Sequence, residues 1–454
     1  MKLSRVLIAN RGEIALRVIR ACEELGIETV LATSEADRES LPARLADRSI
    51  CIGPAHSTAS YLNHQAIIAA AVGSGADAIH PGYGFLAESP ELAEACAAEG
   101  LAFVGPTAEH MRQMGHKIQA RLVAEKADVP TLAGSERIGS AEEAAEIAER
   151  VGFPVMLKAA AGGGGRGMKV AHDPEGLKQT FATASAEAAS AFGDPTLYIE
   201  RFIVNARHIE VQLLGDRFGN VVHFGERDCS LQRRHQKIVE EAPAPSLPEG
   251  LRDEIREAAV KLARNICYEN AGTVEFIYDE DEKRFYFLEM NTRIQVEHPV
   301  SETITGVDLV QEQFRIADGQ ELRMSQDEVC FRGHSIECRI NAEIPQEGFR
   351  PNAGLIERWE PPVGPNIRVD SHCHAGYQVP VFYDSMLAKL IVYGSSREEA
   401  IWRMRRALDR FVVEGVQTTI PFLRFLMERE EFASGAVTTH LVEDVMPEFL
   451  DGQA

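Results

Sequence analysis

The sequence predicts an α/β and α+β chain of three units, and three observations lead there. The first hundred residues alternate short apolar strands with helical stretches, the mark of a doubly wound parallel sheet. From Val155 to Met290 the pattern turns β-rich. From about Arg332 it mixes strands with a helix, as an α+β unit does. At 454 residues the chain is also too long for one ordinary core.

The elements follow in order. Val6–Ala9 reads as a strand and Glu13–Leu25 as a helix, stopped by Gly26 as a C-terminal glycine. Thr29–Ala32, Asp77–His80 and Leu101–Val104 are strands; Gln65–Val72 and Glu91–Glu99 are helices. The first turn, NRGE, lacks a G-x-G-x-x-G fingerprint, so the fold by itself implies no dinucleotide. One helical stretch spans Thr107–Lys126, and Ser140 to Glu143 has the spacing of a capping box. Strand-like runs follow at Val155–Ala159, Met168–Ala171, Leu197–Phe202, His208–Leu214 and Val221–Glu226. Glu249–Tyr268 is an amphipathic helix, and Thr273–Tyr278 and Phe285–Met290 are strands joined by the acidic turn DEDEKR. The last unit carries strands at His334–Ile340, Leu355–Trp359 and Ile367–Val369 and a helix at Arg397–Phe411. Neither a repeat nor a low-complexity linker separates the units.

A net charge of −22 disfavours nucleic acid and anionic membranes as partners. Any anionic substrate must then be drawn in by a local group of Lys and Arg. The opening MKLSRVLIAN has no signal-peptide core, and no apolar run reaches membrane-spanning length. Eight scattered cysteines with no C-x-x-C pair suit reduced thiols in a cytoplasmic protein.

Three segments carry chemistry. The first is Glu289-Met-Asn-Thr-Arg-Ile-Gln-Val-Glu297, which follows an apolar strand. Strand alternation would put Glu289, Asn291, Arg293, Gln295 and Glu297 on one face, with Glu275 on the neighbouring strand. Two carboxylates and an amide are hard oxygen donors that suit magnesium. A solvated strand face would also alternate, but it would not place a Glu inside each of two apolar strands. The second segment is the glycine run 161–167, followed by a strand and lacking Gly-Lys-Ser/Thr. It reads as a hairpin lid whose backbone N–H groups approach phosphate oxygens. The third is cationic: Lys117, Lys158, and Lys237 at the end of the cluster RDCSLQRRHQK, a grouping out of character in so acidic a chain. Cys229 inside that cluster is expected to have a lowered thiol pKa, with no nucleophilic role indicated. His372-Cys373-His374 alternates across a strand and is read as non-functional.

These segments, with IANRGEIALR, AIHPGYGFLAE, EEAPAP, ECRINAE and YDSMLAKLI, resemble biotin carboxylase, an ATP-grasp enzyme, from about residue 3 to 447. The resemblance implies an N-terminal domain at 1–114, an ATP-grasp domain at 115–330 with a lid at about 131–203, and a C-terminal domain at 331–454. It implies ATP- and bicarbonate-dependent carboxylation of biotin through carboxyphosphate, giving ADP and phosphate. By resemblance, Lys117, Lys158, Gly164, Gly165, Glu200, Arg201, Ile203, His208, Gln232, His235, Glu275 and Glu289 line the ATP site. Glu275, Glu289 and Asn291 would hold magnesium or manganese, as two ions. Lys237, Arg293, Gln295 and Val296 would bind bicarbonate, Glu297 would be its base, and Arg339 would stabilise the biotin enolate. Arg201 stands where the family commonly has Lys, and the acidic turn Asp279–Arg284 is longer than in relatives and expected to be without effect.

The chain has no biotin-attachment motif and no transferase segment, so the resemblance places the biotin carboxyl carrier protein and carboxyltransferase on separate chains. It also implies a homodimer. Another ATP-grasp ligase, of carbamoyl-phosphate or carboxylate–amine type, would share the lysines, lid and metal ligands. It would not need Arg293, Gln295 and Glu297 together with Arg339.

Overall fold

A computed structural model describes residues 3–135, 137–160 and 168–452. The glycine run 161–167, with Gly164 and Gly165, lies outside them. In the N-terminal unit, β1 (Arg5–Ile8), β2 (Glu28–Ser34), β3 (Arg48–Gly53), β4 (Ala78–His80) and β5 (Ala102–Phe103) form a parallel sheet ordered β3-β2-β1-β4-β5. The expected doubly wound unit is present. Helix α1 (Gly12–Leu25) follows β1 and ends where Gly26 takes φ 67°, a conformation an L side chain resists. Strand β3 was not expected: only Ile52 of its six residues is buried, so it carries little hydrophobic pattern.

The single helix expected over 107–126 is two, Ala108–Gly115 and Lys117–Lys126. His116 leaves helical geometry and its ring accepts from the Gln119 N–H, capping the second helix. Lys117 therefore sits on the first turn of a helix.

A small antiparallel sheet follows: β6 (Val155–Ala159), β7 (Met168–Ala171) and β8 (Leu197–Arg201), ordered β7-β6-β8. Helices Ala141–Val151 and Pro174–Phe192 cover it, with their own core of Ala144, Ala148, Val155, Leu157, Leu177 and Leu197. The second helix was missed. It buries Leu177, Ala184 and Ala188, and alanines draw no apolar stripe against an Ala/Ser background.

The large sheet positions the site. It contains β9 (Ala206–Gly215), β10 (Val221–Arg233), β11 (Gln236–Ala242), β12 (Asn270–Asp279), β13 (Arg284–Asn291), β14 (His334–Asn341) and the strands Met386–Gly394 and Ile367–Ser371. Its order is β13-β12-β9-β10-β11-β14, then 386–394 and 367–371, antiparallel throughout. Because β11 pairs with β14, one sheet runs without a break from the central unit into the C-terminal one. Strand β10 runs seven residues past the expected end at Glu226, and β11 was not expected at all. Both carry buried polar residues, among them Arg227, Asp228, Ser230, Glu240 and Glu241, which break the alternation a sequence reading relies on.

Candidate active site

Register builds the centre of the site. Arg227 on β10 lies opposite Glu210 on β9, Glu210 opposite Glu275 on β12, and Glu275 opposite Glu289 on β13. Three carboxylates in one cross-strand row repel one another, so the row needs cations. Lys237 supplies one from β11. Its ammonium lies 2.5 Å from Glu210, 2.9 Å from Glu275 and 2.7 Å from Glu297. Arg227, fully buried, donates to Glu210 at 2.6 Å and to the side chains of Gln212, Thr273 and Ser301. The basic cluster is thus not a surface patch: its first and last members are internal.

The expected strand face from Glu289 to Glu297 requires correction. Strand β13 ends at Asn291, and residues 292–297 form a turn into the helix His298–Thr305, with Glu297 as its N-terminal flanking residue. The residues converge all the same, by hydrogen bonds rather than by alternation. Asn291 and Gln295 donate to Glu275 Oε1 at 2.8 and 2.9 Å. Arg293 donates to Gln295 Oε1 at 2.8 Å and Asn291 Oδ1 at 3.1 Å. Ring nitrogen Nδ1 of His298 closes the turn 2.8 Å from the Gln295 carbonyl. Arg339, on β14, reaches Glu297 Oε2 at 3.0 Å while its Nε donates to Glu240 at 2.6 Å.

Charges in this buried setting follow their neighbours. Burial opposes ionising Lys237, but the three carboxylates push its pKa well above the ordinary range. Burial likewise opposes ionising Glu297, and Lys237 with Arg339 overrides it and lowers the pKa. For His208 burial works against the charge, yet Glu275 at 3.1 Å raises the pKa to about 9. Burial raises Glu240 to about 7 despite Arg339. The lowered thiol expected at Cys229 is wrong in sign: full burial, with Glu210 nearby, pushes it well above the usual value.

The remaining candidates line the neighbouring space. Lys158 and Glu200 pair at 2.5 Å on the small sheet, and Lys117 lies 3.7 Å from Glu289. A cleft between that sheet and the helix Lys117–Lys126 is lined by Lys117, Leu132, Tyr198, Glu200 and Leu288. Ile203 packs with Leu132, Ala206 and Ile277 beside it. His208 lies 2.9 Å from the Gln232 amide, and His235 sits exposed at the β10–β11 hairpin tip with φ 65°. The side chain of Arg201 pairs with Glu282 at 2.7 Å, so the acidic turn does have a partner near the ATP side.

Among the described residues, two buried groups bring metal-type donors together: His208, Glu210, Glu275 and Glu210, Cys229, Glu297. The Lys237 ammonium already contacts the carboxylates of both. Glu289 is the more open carboxylate, its side chain 36% exposed, and it faces Glu275 across the strands. Glu275, Glu289 and Asn291 offer oxygen donors of the kind that would fit a hard divalent cation.

Sequence reading passed over Glu88, Glu210 and Glu240. Glu88 accepts from Arg293 Nε at 3.0 Å and from the Thr292 N–H at 2.9 Å. It stands in the quoted block AIHPGYGFLAE, which was the available signal.

Comparison with known proteins identifies the family. Residues 2–111 match the family "Biotin carboxylase, N-terminal domain", and residues 337–444 match "Biotin carboxylase C-terminal domain". Residues 116–325 match "Carbamoyl-phosphate synthase L chain, ATP binding domain". The biotin carboxylase of Nostoc sp. is 53% identical over 446 residues, 98% of this chain and 100% of that protein. The chain belongs to the biotin carboxylase family. The Pseudomonas aeruginosa biotin carboxylase is 52% identical over 97% of this chain and 98% of its own. A Campylobacter jejuni biotin carboxylase solved as a β-γ-ATP complex superposes with a TM-score of 0.95 at 48% identity, covering 98% and 99% of the two chains. The biotin carboxylase domain of Hydrogenobacter thermophilus 2-oxoglutarate carboxylase gives a TM-score of 0.94 at 48% identity, covering 99% of each chain. That structure is a dimer with MgADP, ADP and bicarbonate. The ATP-grasp fold and the enzyme class expected from sequence are borne out. No helix among the described residues is long and apolar enough to cross a membrane.

Proposed function

We propose that this biotin carboxylase divides its site into a nucleotide half and a bicarbonate half that share Lys237 and Glu275. The enzyme carboxylates biotin with ATP and bicarbonate. The observation that carries the division is the double hold on Glu297, Lys237 on one oxygen and Arg339 on the other.

On the nucleotide side, Lys117 and Lys158 meet phosphate charge, and Glu200, Arg201, Ile203, His208, Gln232 and His235 line the ATP site; Gly164 and Gly165, assigned to it by resemblance, lie outside the described residues. Residues 131–203 act as the lid. Glu275, Glu289 and Asn291 would hold magnesium, which would supply positive charge for the phosphates. On the other side, Arg293, Gln295, the Val296 backbone and Lys237 orient bicarbonate, an otherwise poor nucleophile. Glu297, kept ionised by Lys237 and Arg339, takes the bicarbonate proton as oxygen attacks the γ-phosphate, giving carboxyphosphate and ADP. Water exclusion by the lid protects that mixed anhydride. Arg339 then faces the enolate-like ureido oxygen of biotin.

We further place the enzyme in the cytoplasm, on its eight free thiols, as a homodimer that serves a biotin carboxyl carrier protein and a carboxyltransferase on separate chains. The test is bicarbonate-dependent ADP release with and without free biotin. Biotin should stimulate release, and Glu297→Ala should abolish it while nucleotide binding persists. Absence of biotin stimulation would refute the reading.

A further inference from the structure

Strand alternation sorts β14 and its neighbour Met386–Gly394 into two faces. Ile336, Cys338, Ile340, Ala388, Leu390 and Val392 enter the C-terminal core. Glu337, Arg339 and Lys389 point to the other face, beneath the helix His298–Thr305. Arg339 and Lys389 are direct cross-strand partners, and Asp370 is opposite Lys389 on the next strand.

Lys389 is fully buried. A lysine there is costly unless its ammonium is paired and hydrogen-bonded. It donates to the Val296 carbonyl at 2.9 Å, lies 3.2 Å from Glu13 on α1 and 3.9 Å from Asp370. The two neighbouring cations thus hold consecutive residues: Lys389 takes the Val296 carbonyl and Arg339 takes the Glu297 carboxylate. The Val296 carbonyl and the Glu297 N–H belong to one planar peptide unit, so fixing that carbonyl fixes the plane from which Glu297 departs. Neither Glu13 oxygen makes a well-aligned hydrogen bond among the described residues, and burial raises its pKa to about 7 while the Lys389 ammonium at 3.2 Å pulls it back down.

We propose that Lys389 is a positioning residue for the bicarbonate turn, holding the Val296 carbonyl so that Glu297 meets Lys237 and Arg339, with Glu13 of the N-terminal unit as its counter-charge. The inference rests on reading Arg293 to Glu297 as the bicarbonate site. The test uses Lys389→Met, Lys389→Met/Glu13→Gln and, as a control on the site itself, Gln295→Ala. The double variant removes the buried counter-charge and so separates folding from positioning. The readouts are bicarbonate KM, kcat, nucleotide Kd without bicarbonate, and thermal unfolding.

Both Lys389 variants should raise the bicarbonate KM about tenfold or more, the scale of losing one hydrogen bond to a charged group. Nucleotide Kd should stay within about twofold, and the double variant should regain melting temperature lost in the single one. A folded double variant with unchanged bicarbonate KM overturns the proposal. So does a parallel loss of nucleotide and bicarbonate affinity, or a double variant that cannot fold, since each assigns Lys389 a purely structural role. If Gln295→Ala also leaves the bicarbonate KM unchanged, the reading of the turn fails instead.

Discussion

Replacing Lys237 by Met isolates what the buried ammonium does. In the native chain it stands within 2.9 Å of three carboxylates, two of which, Glu210 and Glu297, are wholly buried. Arg227 and Arg339 remain in the variant, one on each of those two carboxylates, so the site loses one positive charge and keeps all its negative ones. The cheapest response is for Glu210 or Glu297 to take up a proton. At pH 7 protonating an ordinary glutamate, pKa about 4.3, costs about 4 kcal/mol. That figure caps the electrostatic part of the destabilisation, and it agrees with the ~3–5 kcal/mol typical of breaking a buried ion pair.

The same reasoning fixes a sign. The folded variant carries one more proton than the folded native chain, while the unfolded chains titrate alike at these carboxylates. Its deficit should therefore shrink by about 1.4 kcal/mol for each pH unit lowered between pH 8 and 6. Urea unfolding of both proteins at pH 6, 7 and 8 measures it. Biotin-dependent ADP release should be lost at every pH, since stability regained by a proton does not restore the cation. A deficit that does not change with pH would refute the protonation argument; retained turnover would refute the role of Lys237.

Glu88→Gln should loosen Arg293, whose Nε it accepts at 3.0 Å, and raise the bicarbonate KM several-fold with little change in nucleotide affinity; steady-state kinetics in bicarbonate and ATP separately would check it. A second titration lies outside the active site, where Glu241 is buried against His334 at 2.7 Å and Arg397 at 2.7 Å. Burial opposes its charge, but these partners push its pKa down to about 2. A lowered carboxylate pKa stabilises the fold above about pH 4.5 and loses that contribution as pH falls towards 2, here about 3 kcal/mol. Glu241→Gln should be the less stable protein at pH 6, with the gap closing on acidification; an unchanged gap in urea midpoints from pH 6 to 3 counts against the pairing.

Sequence reading reached the parts of this molecule where local chemistry announces itself. Gly26 ends α1 because only glycine takes its φ cheaply, and that is visible one residue at a time. Glu275 and Glu289 were visible because each carboxylate interrupts an apolar strand. Strand β11 and the far half of β10 were not, because Arg227, Asp228, Glu240 and Glu241 are charged residues whose burial depends on partners far away in sequence. Glu210 was invisible for the same reason: its neighbours Arg227 and Lys237 lie 17 and 27 residues away. The stripe from Glu289 to Glu297 grouped residues that do converge, but through the wrong geometry, since past Asn291 a turn brings together what alternation would have.

That difference bears on how the site works. A strand face would present Arg293, Gln295 and Glu297 as independent side chains at fixed spacing. The turn ties them to one another and to Glu275, which serves the nucleotide half. Each cation of the proposed bicarbonate half has a carboxylate partner: Arg293 has Glu88, Lys237 has Glu297 and Arg339 has Glu240. On the proposed reading an entering bicarbonate exchanges partners instead of neutralising free charge, since the cost of desolvating those cations has been met in folding. Exchange of this kind depends on where the carboxylates stand, so orientation by the backbone of the turn weighs more than net charge.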